Sequence, residues 1–267
     1  MAPDDRRDES PRGPAGPARG AAPDPPPAEP PAPSALGWLR EVLADRYTFL
    51  LISLLALMTT LPFVRPGADA APESRVIDLI FVAILLSSLR AVWRHKAVVV
   101  AGAVLALGVL ASPDWLPLPD TPLWWHVHHA SSVLFFGLIC ASILTTLART
   151  VRVRMDTIWG ACCVYLLLGL MWAELYAMVE VALPGSFHWP AVPPGMRMSL
   201  DGELLYFSFS TLTTLGFGDI VPLSPPARVL SSAEVVVGQL FIAIMIARLV
   251  GLYVALHFVH RLKDEDD

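Results

Sequence analysis

The residues whose types and spacing point to chemistry are Thr213, Thr214, Leu215, Gly216, Phe217, Gly218 and Asp219, in one unbroken run. Glycine adopts backbone angles that residues with a Cβ resist. With Gly216 and Gly218 alternating along the run, successive carbonyl oxygens come onto one side. Rings of such oxygens can replace the water shell of a dehydrated cation. The expected ligands are the backbone carbonyls of Thr214, Leu215, Gly216 and Phe217, and the hydroxyl of Thr213 or Thr214 would add oxygens at the inner mouth. Asp219 follows at the outer mouth, where it would hold the run by hydrogen bonding and attract cations. An ordinary loop carboxylate is the plainer alternative.

Elements able to position such a run surround it. The chain has 267 residues, 55% of them hydrophobic and 16% charged, with positive mean hydropathy. Six apolar segments are legible, at residues 47–64, 76–93, 97–111, 129–148, 156–183 and 227–260. A soluble domain does not carry several runs of this length, so the expectation is an all-α integral membrane protein with six transmembrane helices. The third segment is short for a hydrocarbon core of about 30 Å. The last overshoots the bilayer and is expected to project into the cytoplasm. Between the fifth and sixth segments, residues 203–214 would span about 18 Å as a helix. That is half a membrane, so this helix should enter and return. Non-helical backbone at such depth must be buried in protein or line a watery cavity, which a short helix followed by a glycine run satisfies. Its carbonyl end would face the pore centre and favour a cation.

The run Thr-Thr-Leu-Gly-Phe-Gly-Asp resembles the signature of the tetrameric potassium channels, and the resemblance covers the chain from about residue 156 onward. It implies a homotetramer conducting K⁺ as the permeant ion, with no other cofactor, no enzymatic chemistry and no nucleic acid. It divides residues 156–260 into an outer helix (156–183), a pore helix (203–214), a filter (213–219) and an inner helix (227–260). Residues 35–155 form a divergent four-helix domain placed like a sensor. Leu215 stands where Val or Ile is usual. Phe217 stands where Tyr is commoner, which deletes a phenol hydroxyl that would brace the filter. Ser210 occupies a position often held by a buried acid, so the brace behind the filter is missing or rebuilt. Tyr206, Phe207 and Phe209 are expected to form an aromatic cuff, and Glu180 to tether the outer helix to the filter loop or to sit at the interface. On the inner helix, Gly238 is a hinge or a close-packing site. Gln239 would face the cavity, and Ile246 and Val250 would narrow its inner mouth. Glu234 and Arg248 lie too far apart to pair within one helix, and Arg248 would snorkel to the inner interface.

Charge sets the expected orientation. With the N-terminus inside, cytoplasmic flanks carry Arg40, Arg46, Arg90, Arg94, Lys96, Arg149, Arg152, Arg154, Arg261 and Lys263, against Arg65, Arg75, Arg197 and Arg228 outside. Both termini are then cytoplasmic and the filter loop is on the outer side of a plasma (inner) membrane, with Trp124, Trp125 and Trp189 at the interface. Residues 1–34 are rich in Pro, Ala and Gly and should be a disordered cytoplasmic tail rather than a signal peptide. The proline tract also suits an unidentified partner. Residues 261–267 form an acidic tail, with no ligand-binding domain expected after the pore. Cys140, Cys162 and Cys163 lie in apolar segments and suggest neither disulfide nor metal framework. His126, His128 and His129 cluster at the outer start of the fourth segment, where they are interfacial or bind Zn²⁺ or protons. The spacing His-Glu-x-x-His and paired acids are absent, which makes an intramembrane metalloenzyme built on the histidine cluster a remote alternative. A poorly selective cation channel and a non-conducting scaffold with a relic filter are the remaining rivals.

A voltage sensor needs several cations within the fourth segment, because gating work scales with charge moved through the field. Residues 129–148 contain no Lys or Arg. Conduction is therefore expected to depend weakly or not at all on voltage. A steep conductance–voltage curve that flattens in an Arg149→Gln, Arg152→Gln variant would contradict this.

Overall fold

The computed structural model describes residues 46–60, 72–93, 95–110, 122–150, 155–191 and 198–265. The proline-rich tail, Arg40, Arg65, Arg94, Arg152, Arg154 and Arg197 lie outside the described residues. The elements, in chain order, are α1 (Thr48–Thr60), α2 (Pro72–Ala91), α3 (Lys96–Leu110), α4 (Pro122–Arg149), α5 (Met155–Ala182), β1 (Phe187–His188), α6 (Leu200–Leu212), β2 (Val221–Pro222) and α7 (Pro225–Glu265). The protein is an all-α membrane protein apart from the small β1–β2 pair. Among the described residues, three helices have the length and apolarity to cross a bilayer: Leu123–Arg149, Met155–Ala182 and Pro225–Arg248. The apolar stretches of α1, α2 and α3 are shorter, at Thr48–Thr60, Leu79–Ala91 and Lys96–Leu110.

The boundaries move where local chemistry decides them. α4 opens at Pro122, a residue pre-set for the first helical turn, well before residue 129. Trp124, Trp125 and the three histidines are thus helical, not in a loop. α6 begins at Leu200 rather than Glu203, because Ser199 caps it by accepting a hydrogen bond from the Gly202 N–H at 3.2 Å. Asp201 and Glu203 then fall in its first turn, where negative charge suits the helix dipole. α7 runs on to Glu265, and its 41 residues reach about 60 Å.

α5 is the spine. It packs against α4, α6, α1 and α7, while α3 lies on α4 and α2 on α1. One core joins Leu50 and Leu54 of α1, Phe135 and Ile139 of α4, Val164 and Leu167 of α5 and Leu212 of α6. The Arg46 N–H donates to Asp156 at 3.1 Å, which ties the start of α1 to that of α5. A second core, the outer core on the expected orientation, gathers Trp172, Tyr176, Phe187, Leu204, Phe207 and Ile220.

Glu234 and Arg248, too far apart to pair within one helix, each have partners in other helices. Arg248 does not snorkel free. Its guanidinium donates to the carbonyls of Leu147, Ala148 and Thr150, at the C-terminus of α4. The Leu147 carbonyl also accepts from the Thr150 N–H at 3.0 Å, and a cation at this end suits the dipole. Glu234 is fully buried and joins three helices. The Tyr176 hydroxyl of α5 donates to its Oε2, and its Oε1 lies 2.6 Å from Ser208 Oγ of α6. Ser208 Oγ also lies 2.8 Å from the Gly169 carbonyl of α5. One hydroxyl hydrogen cannot serve both acceptors at once.

A side chain with one donor and one acceptor fits this knot. Glu234→Gln offers both and is expected to keep stability within about 1 kcal/mol of wild type. Glu234→Ala strands the buried Tyr176 hydroxyl, leaves Ser208 only the Gly169 carbonyl and opens a cavity, and should cost about 2–4 kcal/mol. Thermal unfolding in detergent checks both, and equal losses in the two variants would contradict the assignment.

Candidate functional site: a pore loop

α6 ends at Thr213, and the chain reverses through residues held in alternating backbone conformations. Thr214, Gly216 and Gly218 have φ of 61°, 57° and 78°. Left-handed backbone at every second residue brings successive carbonyls to one side. For Gly216 and Gly218 this conformation is free of steric cost. For Thr214, with a branched Cβ, it is an outlier of the kind that surrounding structure must enforce.

The enforcing contacts come from the end of α6. The Thr213 N–H donates to the Phe209 carbonyl at 3.1 Å and the Thr214 N–H to that of Thr211 at 2.9 Å. The Gly216 N–H donates to the Ser210 carbonyl at 3.0 Å, and the Phe217 N–H to Ser210 Oγ at 3.4 Å. The amides therefore face back into the protein. Among the described residues, no donor meets the carbonyls of Thr214, Leu215, Gly216 or Phe217. Thr214 Oγ1 donates to the Thr213 carbonyl at 2.6 Å. Residues 213–219 are all exposed in the single chain, Leu215 by 58% and Phe217 by 64%.

Ser210 thus holds the filter backbone directly, in place of an acid. Tyr206 supplies the side-chain brace. Its hydroxyl donates to Asp219 Oδ2 at 2.8 Å, and its ring stacks on Phe217 with centroids 6.2 Å apart and planes 12° from parallel. Asp219 Oδ1 also accepts from its neighbour, the Ile220 N–H, at 2.9 Å.

The expected three-residue cuff divides into three separate tasks. Within the single chain, among the described residues, Tyr206 is the cuff residue whose side chain meets filter side chains. Phe207 points the other way, into the outer core, with centroids 5.1 Å from Tyr176 and 5.3 Å from Phe187. Phe209 lies against Gly169 of α5, where an added Cβ would stand 2.6 Å from its ring. The reason is helical geometry: three residues of a four-residue stretch point in different directions around α6.

Glu180 is a tether at one remove. It accepts from the Gly185 and Phe187 N–H groups at 2.9 and 3.2 Å, which fixes the turn after α5. That turn leads into β1, whose Phe187 and His188 pair antiparallel with Pro222 and Val221 of β2. The Leu223 N–H adds a bond to the Ser186 carbonyl at 2.7 Å. The segment leaving the filter is therefore hung on the outer end of α5.

On α7, Gly238 is a close-packing site. A Cβ there would stand 2.7 Å from the Leu212 carbonyl at the end of α6, and α7 passes through it without a break. The hinge expectation is not needed to account for this glycine. Gln239, Ile246 and Val250 recur at whole turns along one helix face and are exposed in the single chain. Tyr165, Tyr176, Ser208 and Gly169 were not singled out by the sequence, although all contact α6 or its partners. Nothing in an apolar helix distinguishes these residues from ordinary packing until the neighbouring helix is placed.

A short helix, a glycine loop whose carbonyls meet no donor among the described residues and a long apolar helix after it are the parts of an ion channel of the pore-loop type. Residues 198–255 match the protein family described as ion channel. Protein LctB of Bacillus caldotenax is 30% identical over 125 residues, covering 43% of this chain and 92% of that protein. Protein LctB of Geobacillus stearothermophilus is 28% identical over 131 residues, with the same coverage. The two pore potassium channel c of Oryza sativa subsp. japonica is 37% identical over 70 residues, which is 26% of this chain but only 14% of that protein. The chain belongs to the potassium channel superfamily.

The Tyr206–Asp219 bond is partly exposed, so its charge-assisted strength is discounted to about 1 kcal/mol. Tyr206→Phe keeps the ring stack and removes only this bond. Ion flux per assembled protein is expected to fall about fivefold, the factor matching that energy. Unchanged flux, with assembly intact, would show that Tyr206 does not brace the filter.

Proposed function

We propose that the chain forms a homotetrameric, potassium-selective channel that passes K⁺ passively down its gradient and needs no enzymatic step. The observation that carries this reading is the filter backbone, with left-handed residues at 214, 216 and 218 and its amides bonded behind it. That arrangement leaves four consecutive carbonyls, from Thr214 to Phe217, for a dehydrated cation. Bracing by Ser210 and Tyr206 supports selectivity, because a held ring of oxygens resists closing around a smaller ion.

Fourfold assembly is supported by what one chain leaves uncovered. Only 17% of the most apolar stretch of Pro225–Arg248 is buried, against 56% in α5. Val229, Val236, Leu240, Ile244, Ile246 and Val250 are each more than half exposed. A long apolar helix beside an exposed filter suits an axis surrounded by copies of itself, with Gln239, Ile246 and Val250 lining the cavity and its inner mouth. The six-segment plan, the outward filter and cytoplasmic termini in a plasma (inner) membrane rest on the charge bias. Weak voltage dependence is supported by α4, whose only basic residue sits in its last turn, Arg149. Leu215 and Phe217 favour a second reading, a cation channel of low selectivity, since both differ from the commoner filter residues.

Proteoliposomes containing the purified protein separate these. The expected result is K⁺ flux exceeding Na⁺ flux at least tenfold, from a complex of four 29.0 kDa chains. Equal fluxes would establish the low-selectivity channel. No flux from an assembled tetramer at any pH, voltage or tension would establish a scaffold.

A further inference from the structure

A cluster remote from the filter lies where the outer ends of α3, α4 and α5 meet. His128 Nδ1 is 2.7 Å from the carbonyl oxygen of Val109, in the last turn of α3. A carbonyl only accepts, so this nitrogen carries the hydrogen, and the neutral ring presents a bare lone pair at Nε2. His129 Nδ1 is 2.6 Å from Glu174 Oε2 of α5. An ionised carboxylate also only accepts, so His129 Nδ1 carries a hydrogen too, and in the neutral ring its Nε2 is a bare lone pair. That atom is buried and has no hydrogen-bond partner among the described residues, in a residue only 2% exposed. A buried acceptor without a donor is costly to keep unless something binds it.

Two imidazoles locked with Nδ1–H outward and Nε2 free are prepared as metal ligands are prepared. Ligating histidines donate their other nitrogen to a carboxylate or a backbone carbonyl, which fixes the tautomer and raises the basicity of the ligating atom. Here one histidine has the carbonyl and the other the carboxylate. His128, His129 and Glu174 each offer a donor atom within 4.8 Å of the others, and the two imidazole rings meet edge to face with centroids 5.0 Å apart. His126, two residues earlier, is exposed and outside the set. The Glu174 side chain is 17% exposed and His128 half-buried, so the cluster is open on one side to ions and water.

We infer that His128, His129 and Glu174 form a binding site for a divalent transition-metal ion of the zinc type. The two Nε2 atoms are its protein ligands. Glu174 orients His129 and balances the ion's charge, and water completes the shell. Imidazole nitrogens favour Zn²⁺, Co²⁺, Ni²⁺ or Cu²⁺ over Ca²⁺ or Mg²⁺. The site is independent of the filter. It joins two N-terminal helices to α5, the helix against which α6 is packed. A hydrogen bond that merely staples α4 to α5 accounts for His129 Nδ1. It does not account for the buried, unpartnered Nε2 or for the matching tautomer of His128.

The test is a Co²⁺ titration of the purified full-length protein in detergent, read by visible d–d absorption and competed with Zn²⁺. One Co²⁺ per chain is expected, displaced by Zn²⁺, with a Zn²⁺-dependent rise in Tm. Glu174→Gln keeps an acceptor for His129 but loses the charge, and His128→Gln keeps a donor for Val109. Each should weaken Co²⁺ binding at least tenfold, while His126→Gln leaves it unchanged. Absence of Co²⁺ absorption in the folded protein overturns the inference. So does binding that survives both His128→Gln and Glu174→Gln, or a Glu174→Gln variant that loses stability but binds Co²⁺ as before. None of these readouts requires the protein to conduct.

Discussion

Everything in this structure depends on keeping one short stretch of backbone carbonyls turned away from the donors of its own chain. A peptide group normally satisfies both its N–H and its C=O in the protein interior, because an unpaired polar group there is expensive. Between Thr214 and Phe217 the two needs are separated. The N–H groups of Gly216 and Phe217 are bound to Ser210 behind the loop, and the carbonyls are left to whatever occupies the axis. Thr214, with its positive φ, bears the strain of this arrangement.

The rest of the chain resists the relaxation of that strain. α6 must not shift, so Phe209 is pressed onto Gly169, and the Tyr165 hydroxyl donates to the Leu212 carbonyl at 3.3 Å. Gly238 lets α7 come into backbone contact with the same carbonyl. Glu234 locks α5, α6 and α7 together beneath the outer core. The exit from the filter is held separately, through Glu180, its turn and the β1–β2 pair. Arg248 fastens α7 to the end of α4, so α7 is anchored on either side of the stretch between Glu234 and Arg248.

Much of this was legible in the chain and some was not, for definite reasons. The filter could be read because its chemistry is local: glycines at every second position between hydroxyls and a carboxylate need no tertiary information. The helices were legible as apolar runs, but their starts were set by single caps, Pro122 and Ser199, which hydropathy does not register. The direction of each aromatic on α6 depends on a rotation about the helix axis, so the sequence could not tell that within one chain Phe207 turns to Tyr176 and Phe187 and Phe209 to Gly169. Glu234 and Arg248 stood out as charges well inside the last segment, yet their partners lie far away in sequence, on helices whose relative placement no spacing encodes. The brace was the hardest to foresee. Losing the phenol at position 217 pointed to a weaker filter, whereas Tyr206 supplies a hydroxyl to Asp219 from the pore helix instead.

The central claim is that the carbonyls from Thr214 to Phe217 are the ion ligands. The most direct measurement is anomalous diffraction from the assembled protein crystallised with Tl⁺ in place of K⁺. The account predicts Tl⁺ peaks on the symmetry axis, in a row, each ringed by those carbonyls and diminished when Na⁺ replaces Tl⁺. A filter without axial density, or ions bound only by Asp219 and the threonine hydroxyls, would contradict it.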